Sequence, residues 1–248
     1  MNNKKGGLIL FVKNIIRESI EFQHSDGINP LTIGLFLSII VVALQVWGLL
    51  SQNRKINKHK SEDLMPLYFF VCQFFYFGIY VVYGFDLRSL TIIISNLPGI
   101  IFLLIIYSLI KCKKRLIKQT SNGVIRQKMV RRLKIDQLTS LSYSIILISL
   151  FILVKDRDLL IIIFLAAAIS SITPLIYGII KSKNTKGIGA KYIIAFMASS
   201  FIWLVYGLII KIFWKIDDIG LIISSLIAFL ATVVMLIIYK KLNKKKSG

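Results

Sequence analysis

Long apolar stretches separated by short polar segments dominate the pattern of this 248-residue chain. A helix that crosses a membrane needs about 20 consecutive, mainly apolar residues. Seven stretches come close to that length, at residues 30–50, 64–85, 90–110, 138–154, 159–180, 192–213 and 219–239. The fourth is the shortest, because charged residues follow it at 155–158. The pattern therefore predicts an all-α integral membrane protein with seven transmembrane helices.

The segment before the first span has a different character. Residues 8–22 carry Lys13, Arg17, Glu18 and Glu21 among apolar residues. Four charges in such a short stretch favour an amphipathic helix lying on the membrane surface over an eighth span. They also argue against a secretory signal peptide, whose central region is apolar.

The charge distribution predicts how the chain is oriented. The net charge is +21, and 23 of the 32 Lys and Arg residues lie in 51–63, 111–137, 181–191 and 240–248. In a soluble protein such a charge would suggest nucleic acid, but here these residues flank apolar spans. Cytoplasmic loops of membrane proteins are enriched in Lys and Arg. We therefore expect the C-terminus in the cytosol, the N-terminus outside, the plasma membrane as the location and no nucleic-acid partner.

Few residues in the spans could carry covalent or proton chemistry. The 11 carboxylates and two histidines lie outside the centres of the apolar stretches, whereas proton-driven carriers usually keep an ionisable group inside the bilayer. The sequence contains no phosphate-binding glycine loop, metal-ligand spacing or catalytic triad. Cys72 and Cys112 are expected to be free thiols. We expect no enzyme activity, no cofactor and no metal site.

An internal repeat relates the two halves of the chain. Tyr83 and Gly84 lie near the end of the second span, and Tyr206 and Gly207 lie near the end of the sixth. Aligning these pairs places Tyr80 opposite Trp203. Each pair is followed by a short loop and another apolar span. Tyr-Gly pairs near helix ends also occur by chance, but the shared loop lengths and flanking charges favour a true repeat.

The repeat predicts two parallel three-helix bundles joined by a linker helix, a 3+1+3 plan. In the third helix of each bundle, Asn96 pairs with Ser225, or with Ser224 if the register shifts by one residue. The predicted divisions are an N-terminal extracytosolic segment 1–29, a first bundle 30–110, a basic cytosolic loop with the linker helix 111–158, a second bundle 159–239 and a basic cytosolic tail 240–248.

These residues resemble the SWEET sugar facilitators of the PQ-loop superfamily. The similarity covers both bundles and is strongest around Thr173, Pro174 and the Trp203-to-Gly207 stretch. Asn96 stands where the third helix of the family has its pocket asparagine. The chain departs from the family at several points: only Pro174 matches the proline tetrad well, Tyr80 replaces a pocket Trp, and Ser225 replaces a pocket Asn.

The resemblance implies a carrier that moves a small neutral solute, a mono- or disaccharide, down its gradient in either direction by alternating access. In this interpretation Tyr80 and Trp203 stack on the sugar, and Asn96 with Ser225 or Ser224 bonds its hydroxyls. Other roles are open: Trp203 could anchor the helix at the interface, and Asn96 or the serines could bond or pack against neighbouring helices.

Two prolines within spans are candidate hinges. Pro174 and Pro98 each remove a backbone hydrogen bond, which produces either a hinge or a static packing kink. Two rival functions also remain open, namely a PQ-loop carrier of another solute such as an amino acid, and a seven-helix receptor. Surrounding lipid is an expected partner, and the sequence leaves homo-oligomerisation open.

Overall fold

The computed structural model describes residues 13, 14, 16–19, 30–58, 65–86, 88–182, 185, 188–214 and 219–244. Over these residues the fold is all-helical, without a strand. The helices are α1 Pro30–Lys58, α2 Leu67–Asp86, α3 Leu90–Asn96, α4 Ile101–Gln119, α5 Gly123–Leu153, α6 Arg157–Ser182, α7 Ala190–Trp214 and α8 Ile219–Lys244. A 3₁₀ turn, Leu97–Ile100, joins α3 to α4 as one span.

The predicted all-α membrane fold is confirmed. Six spans in the described part of the chain are long and apolar enough to cross a membrane, namely α1, α2, α3 with α4, α5, α7 and α8. Helix α6 occupies the position of the remaining predicted span. Many large apolar side chains on these helices are exposed, as expected of a surface that contacts lipid.

The prediction of a loop at 111–137 is wrong. Helix α4 continues to Gln119 and α5 begins at Gly123, so only residues 120–122 connect them. Asn122 begins α5, because its Oδ1 accepts hydrogen bonds from the Val124 and Ile125 amides at 3.0 and 3.2 Å. Lys and Arg are good helix formers, so a helix can continue through the charged residues that follow an apolar stretch.

We call the helices of the two predicted bundles, 30–110 and 159–239, the first and second triplet. In each of them the third span contacts both of the first two helices. In the described residues, α3 and α4 contact both α1 and α2, and α8 contacts both α6 and α7. The first helix of each triplet also packs against the second helix of the other, so that α1 lies along α7 and α2 along α6. This is the arrangement that two equivalent triplets around a shared axis would adopt. The linker α5 packs mainly on α2.

Helices α1 and α7 run antiparallel in close contact along their length. A Cβ atom at Gly34 would lie 2.4 Å from the Tyr206 hydroxyl, and one at Gly48 would lie 2.6 Å from the Ala195 Cβ. Small residues allow this approach of two helix backbones, as is common within membranes. The interface between the triplets is therefore set by glycines on α1.

Equivalent contacts also form within each triplet. A Cβ atom at Gly84 would lie 2.7 Å from Ile93 Cγ1, and one at Gly207 would lie 2.9 Å from Ile222 Cγ1. Ser95 donates to the Ile92 carbonyl at 3.0 Å, just as Ser224 donates to the Leu221 carbonyl at 3.2 Å. Both comparisons favour the repeat register in which Asn96 corresponds to Ser225.

We call the end of the bundle where α1, α4 and α8 finish and α7 begins the basic end. Here Lys55 donates to the carbonyls of Ile188 and Thr185, the latter at 3.4 Å. Buried Gln52 accepts from the Gly189 amide at 2.8 Å, and the Thr185 hydroxyl donates to Asn243 Oδ1 at 2.7 Å. These bonds, which we call the basic-end latch, connect α1, the start of α7 and α8.

A partly buried ion pair near the same end connects the linker helix to α4. Asp136 lies within α5, with a side chain that is 11% exposed, and pairs with Lys113 of α4. Its Oδ1 also accepts from the Leu67 amide at 2.8 Å. This amide is at the N-terminus of α2, where a negative charge is favourable. One carboxylate thus connects α2, α4 and α5.

Of the few described residues before α1, Glu18 lies at the end opposite the basic end. Glu18 forms an ion pair with Arg88, which lies between α2 and α3, at 3.5 Å. Both side chains are exposed, so the pair contributes little stability, but it places the segment. Residues 13, 14 and 16–18 are helical, and the rest of the predicted surface helix at 8–22, except Ser19, lies outside the described residues.

The glycine contacts predict a graded response to added methyl groups. Gly84→Ala and Gly207→Ala should each destabilise the protein by about 1–3 kcal/mol through overpacking. Gly78→Ala is the matched control on α2, because a Cβ atom there meets nothing within 4 Å. It should be neutral or stabilising, since alanine is the better helix former. Thermal unfolding in detergent measures all three variants.

Second-site changes make this test sharper. The Gly84 Cβ would also lie 2.9 Å from the Ile93 backbone nitrogen, whereas at Gly207 the only atom closer than 3.4 Å is Ile222 Cγ1. Ile222→Ala should therefore partly restore the stability of Gly207→Ala, and Ile93→Ala should not restore that of Gly84→Ala. Equal rescue at both positions would contradict the described packing.

Candidate functional site

Hydroxyl groups from the two triplets meet between α2 and α8. The Tyr80 hydroxyl donates to Ser224 Oγ at 3.4 Å. The ring of Tyr76, one helical turn earlier, lies 5.2 Å from that of Tyr80 in an edge-to-face arrangement. Its hydroxyl is within hydrogen-bonding reach of Tyr80 and Ser224. The structure therefore brings two of the predicted site residues, Tyr80 and Ser224, together.

The bond between Tyr80 and Ser224 is weak. Hydroxyl–hydroxyl bonds are usually 2.7–2.8 Å long and weaken with distance. Ser224 is buried, and its own hydrogen is used on the Leu221 carbonyl. A solute hydroxyl could replace this contact at little cost, because a typical neutral hydrogen bond contributes only about 0.5–1.5 kcal/mol net.

Asn96 lies where the third span is interrupted. It is the last residue of α3, and its Nδ2 donates to the Ile92 carbonyl at 2.8 Å and to Ser95 Oγ at 3.1 Å. Its Oδ1 has no hydrogen-bond partner among the described residues. The local bonds hold the amide in one orientation and leave an oxygen acceptor for another group.

The interruption itself is caused by Pro98. Proline has no amide hydrogen, so the Ile94 carbonyl accepts from Leu97 instead and the chain tightens into the 3₁₀ turn. Next to it, a Cβ atom at Gly99 would lie 2.4 Å from the Phe77 Cβ, so α2 approaches the turn closely. The α-helical hydrogen bonding of the third span is thus interrupted at Pro98, and the role of this position as a hinge stays a prediction.

The second candidate hinge, Pro174, lies within α6. Its side chain lies outside the described residues, and the hinge role stays a prediction there too. The repeat is asymmetric in this respect, because Ile227 of α8 occupies the position equivalent to Pro98 and that helix is continuous.

The structure gives less support to site roles for Trp203 and Ser225. The Trp203 ring lies 5.5 Å from that of Tyr206 on the same helix, and the described residues include no ring contact between Trp203 and Tyr80. Ser225 is buried beside Ser224 in α8. The structure therefore leaves the stacking role of Trp203 and the hydroxyl-binding role of Ser225 as predictions.

Three of the candidates lie at one depth. Tyr80 is six residues from the end of α2, Asn96 six from the start of α3, and Ser225 six from the start of α8. All three helix ends lie opposite the basic end. At a rise of 1.5 Å per residue, the three residues are about 9 Å inside that end. A common depth is what a single solute site requires.

Two further residues, Tyr76 and Gln45, join the candidate set. Tyr76 contacts the Tyr80–Ser224 pair, and its four-residue spacing from Tyr80 is the signal that could have identified it. Gln45 of α1 is 5% exposed, and its Oε1 has no partner among the described residues. A buried acceptor without a partner is costly, so Gln45 is a candidate for contact with water or solute.

The chemistry of these groups suits a neutral, hydroxyl-rich solute. Hydroxyls and amides donate and accept hydrogen bonds, aromatic rings offer apolar faces, and none of these groups is charged. No group of three or more metal-ligating side chains occurs in the part of the chain that the structure describes.

The fold is that of a multi-pass membrane protein. Residues 31–115 match the model of a family described as sugar efflux transporter for intercellular exchange. The matched stretch comprises nearly all of α1 to α4, the first triplet. The SWEET family predicted from the sequence is thereby confirmed over these residues, and the match supports a sugar transporter. No curated protein matches the chain.

The candidate site predicts selective losses of transport. Asn96→Ala should lower sugar uptake into proteoliposomes about two- to ten-fold, the range expected when one neutral hydrogen bond is lost. Trp203→Ala should reduce uptake strongly, and Trp203→Phe should keep part of it because a ring remains. Tyr80→Trp with Ser225→Asn, which makes the two triplets more alike, should change the order of sugar preference without stopping transport.

The matched control is Tyr107→Ala, which removes an aromatic ring from an exposed position on α4 and should leave uptake unchanged. Protein amount and elution in size-exclusion chromatography are measured for every variant. Normal uptake by both alanine variants would remove Asn96 and Trp203 from the site. Loss of folded protein would assign them to packing.

Proposed function

We propose that this protein is a facilitative, bidirectional carrier of mono- or disaccharides that works by alternating access. The observation that carries the proposal is the equivalence of the two triplets. The Gly84–Ile93 contact recurs as Gly207–Ile222, so the family match to the first triplet has a structural counterpart in the second. We take the triplets as 30–110 and 159–239.

Alternating access requires contacts that differ in strength at the two ends. The basic-end latch holds α1, α7 and α8 together through bonds to backbone and side-chain oxygens. Near the opposite end, the weak bond from Tyr80 to Ser224 connects the triplets. We propose that a sugar replaces the Tyr80–Ser224 bond, and that rocking of the triplets then opens the latch.

Transport in this proposal is not coupled to protons. Asp136 lies outside the span predicted at 138–154 but within α5, a helix that is long and apolar enough to cross a membrane. Its carboxylate is already paired with Lys113 and the Leu67 amide. It lies between α2, α4 and α5, away from the contact of α2 with α8. A bound sugar would therefore meet uncharged groups alone.

We further propose that the N-terminus is outside and that the C-terminus is in the cytosol of a plasma-membrane protein. The positive-inside rule supports this orientation. The pairing of Glu18 with Arg88 is consistent with it, because it joins two segments that the charge count assigns to the same side.

Uncoupled transport predicts that the sugar gradient alone drives flux. Proteoliposomes should carry sugar inwards or outwards down its gradient and only to equilibrium, and an imposed pH gradient should not change the flux. Asp136→Asn is the control, because its amide oxygen can still accept from Leu67; the folded fraction of this variant should behave like the wild type. Accumulation above equilibrium that an uncoupler collapses would refute uniport, and loss of accumulation in Asp136→Asn would identify the proton carrier.

The orientation predicts which segments a protease reaches in intact cells. A tag at the N-terminus should be cleaved, and tags at residues 120–122 or at the C-terminus should be protected until the membrane is permeabilised. Cleavage of the C-terminal tag with protection of the N-terminal tag would mean that the orientation is inverted.

A further inference from the structure

A groove with an unusual concentration of cations lies at the basic end, between α1 and α7. Its lining residues are Trp47, Leu50, Ser51, Arg54, Lys55, Lys58 and Lys191. Four of these seven side chains are cationic and none is acidic. The proposed sugar site does not use this groove, since Tyr80 and Ser224 lie on other helices, towards the opposite end.

The cations of the groove are not equivalent. Lys55 is directed inwards, where it donates to the Ile188 and Thr185 carbonyls and lies over the Tyr239 ring. Arg54 and Lys58 have no ion-pair partner among the described residues. Lys191 has none there either, and its ammonium lies 5.5 Å from the centre of the Trp47 ring. Three cations are thus available to an anion.

An apolar stripe runs along α1 from near its start to these cations. Phe36, Ile40, Trp47 and Leu50 are exposed, and their spacing places them on the face of α1 that continues through Arg54 and Lys58. Ile194 of α7, one turn after Lys191, is also exposed. In a membrane this face contacts acyl chains. The indole of Trp47, which is 44% exposed, lies at the boundary between the apolar residues and the cations.

We infer that this groove binds the headgroup of an anionic phospholipid from the leaflet at the basic end. Its phosphate would lie among Arg54, Lys58 and Lys191, and its chains would follow the stripe past Trp47. Charge complementarity selects an anionic headgroup over a zwitterionic one. The apolar stripe selects a lipid over a soluble anion. Because α1 and α7 belong to different triplets, the lipid would bridge the interface at which the triplets pack.

Trp47 itself reports occupancy of the groove. Of the three tryptophans, Trp203 and Trp214 are replaced by Phe, so that fluorescence arises from Trp47 alone. The protein is reconstituted in zwitterionic vesicles with increasing fractions of anionic or zwitterionic lipid brominated in its chains, and quenching gives the relative binding constant. We expect at least about a five-fold preference for the anionic lipid, which is the contribution of one basic residue at a membrane surface.

Two triple variants distinguish lipid binding in the groove from unspecific attraction to a basic surface. Arg54→Gln with Lys58→Gln and Lys191→Gln should reduce the preference to less than two-fold, and Lys55 is left unchanged because it belongs to the latch. Lys114→Gln with Lys118→Gln and Lys128→Gln removes the same charge from exposed positions on α4 and α5 and should keep the preference.

Three results would overturn the inference: equal quenching by both lipids, equal loss of preference in both triple variants, or abolition of the preference by inorganic phosphate or glycerol phosphate in molar excess. The last would indicate a site for soluble anions. Native mass spectrometry of the unaltered chain with the same lipids provides a readout without the tryptophan changes. Retention of anionic lipid, lost only in the groove variant, is the expected result.

Discussion

The constraint on which this fold depends is that no backbone polar group can remain unpaired in lipid. Continuous helices satisfy it automatically, so the informative places are those where a helix begins or breaks. At the start of α2, the carboxylate of Asp136 accepts from the Leu67 amide. At the break in the third span, the Asn96 side chain and the Leu97 amide take up carbonyls of the preceding turn. Polar side chains thus occur where backbone pairing would otherwise fail.

The same constraint explains how much of the fold the sequence could predict. Spans are readable because lipid contact demands about 20 apolar residues, and each predicted span corresponds to a helix. Helix ends are less readable, since Lys and Arg favour helices as strongly as many apolar residues do. The fourth span, predicted at 138–154, is therefore only the second half of α5, Gly123–Leu153. The pairing of Asp136 with Lys113 depends on packing and has no local signature.

For the candidate site, the sequence supplied the residues but not their partners. The internal repeat identified the third-helix positions, and the paired contacts of Gly84 and Gly207 favour its register. The contact of Tyr80 with Ser224 joins residues that are 144 positions apart in the sequence, which a comparison of the two halves cannot reveal. Tyr76 was missed because its one signal, the four-residue spacing from Tyr80, does not stand out in a span that is rich in aromatic residues. Repeats thus define equivalent positions, and packing decides which of them meet.

The interruption at Pro98 makes the two triplets mechanically unequal. The third span of the first triplet consists of two helical rods joined by the turn Leu97–Ile100, whereas its counterpart α8 is a single rod. In the proposed carrier, with the turn acting as the predicted hinge, the two third spans would open at different rates. For a carrier that moves solute only downhill, thermodynamics fixes the ratio of maximal rate to half-saturating concentration to be equal in both directions. The maximal rate and the half-saturating concentration can each differ between the two directions. Unequal third spans would therefore make transport faster but less easily half-saturated in one direction than in the other, without any energy input.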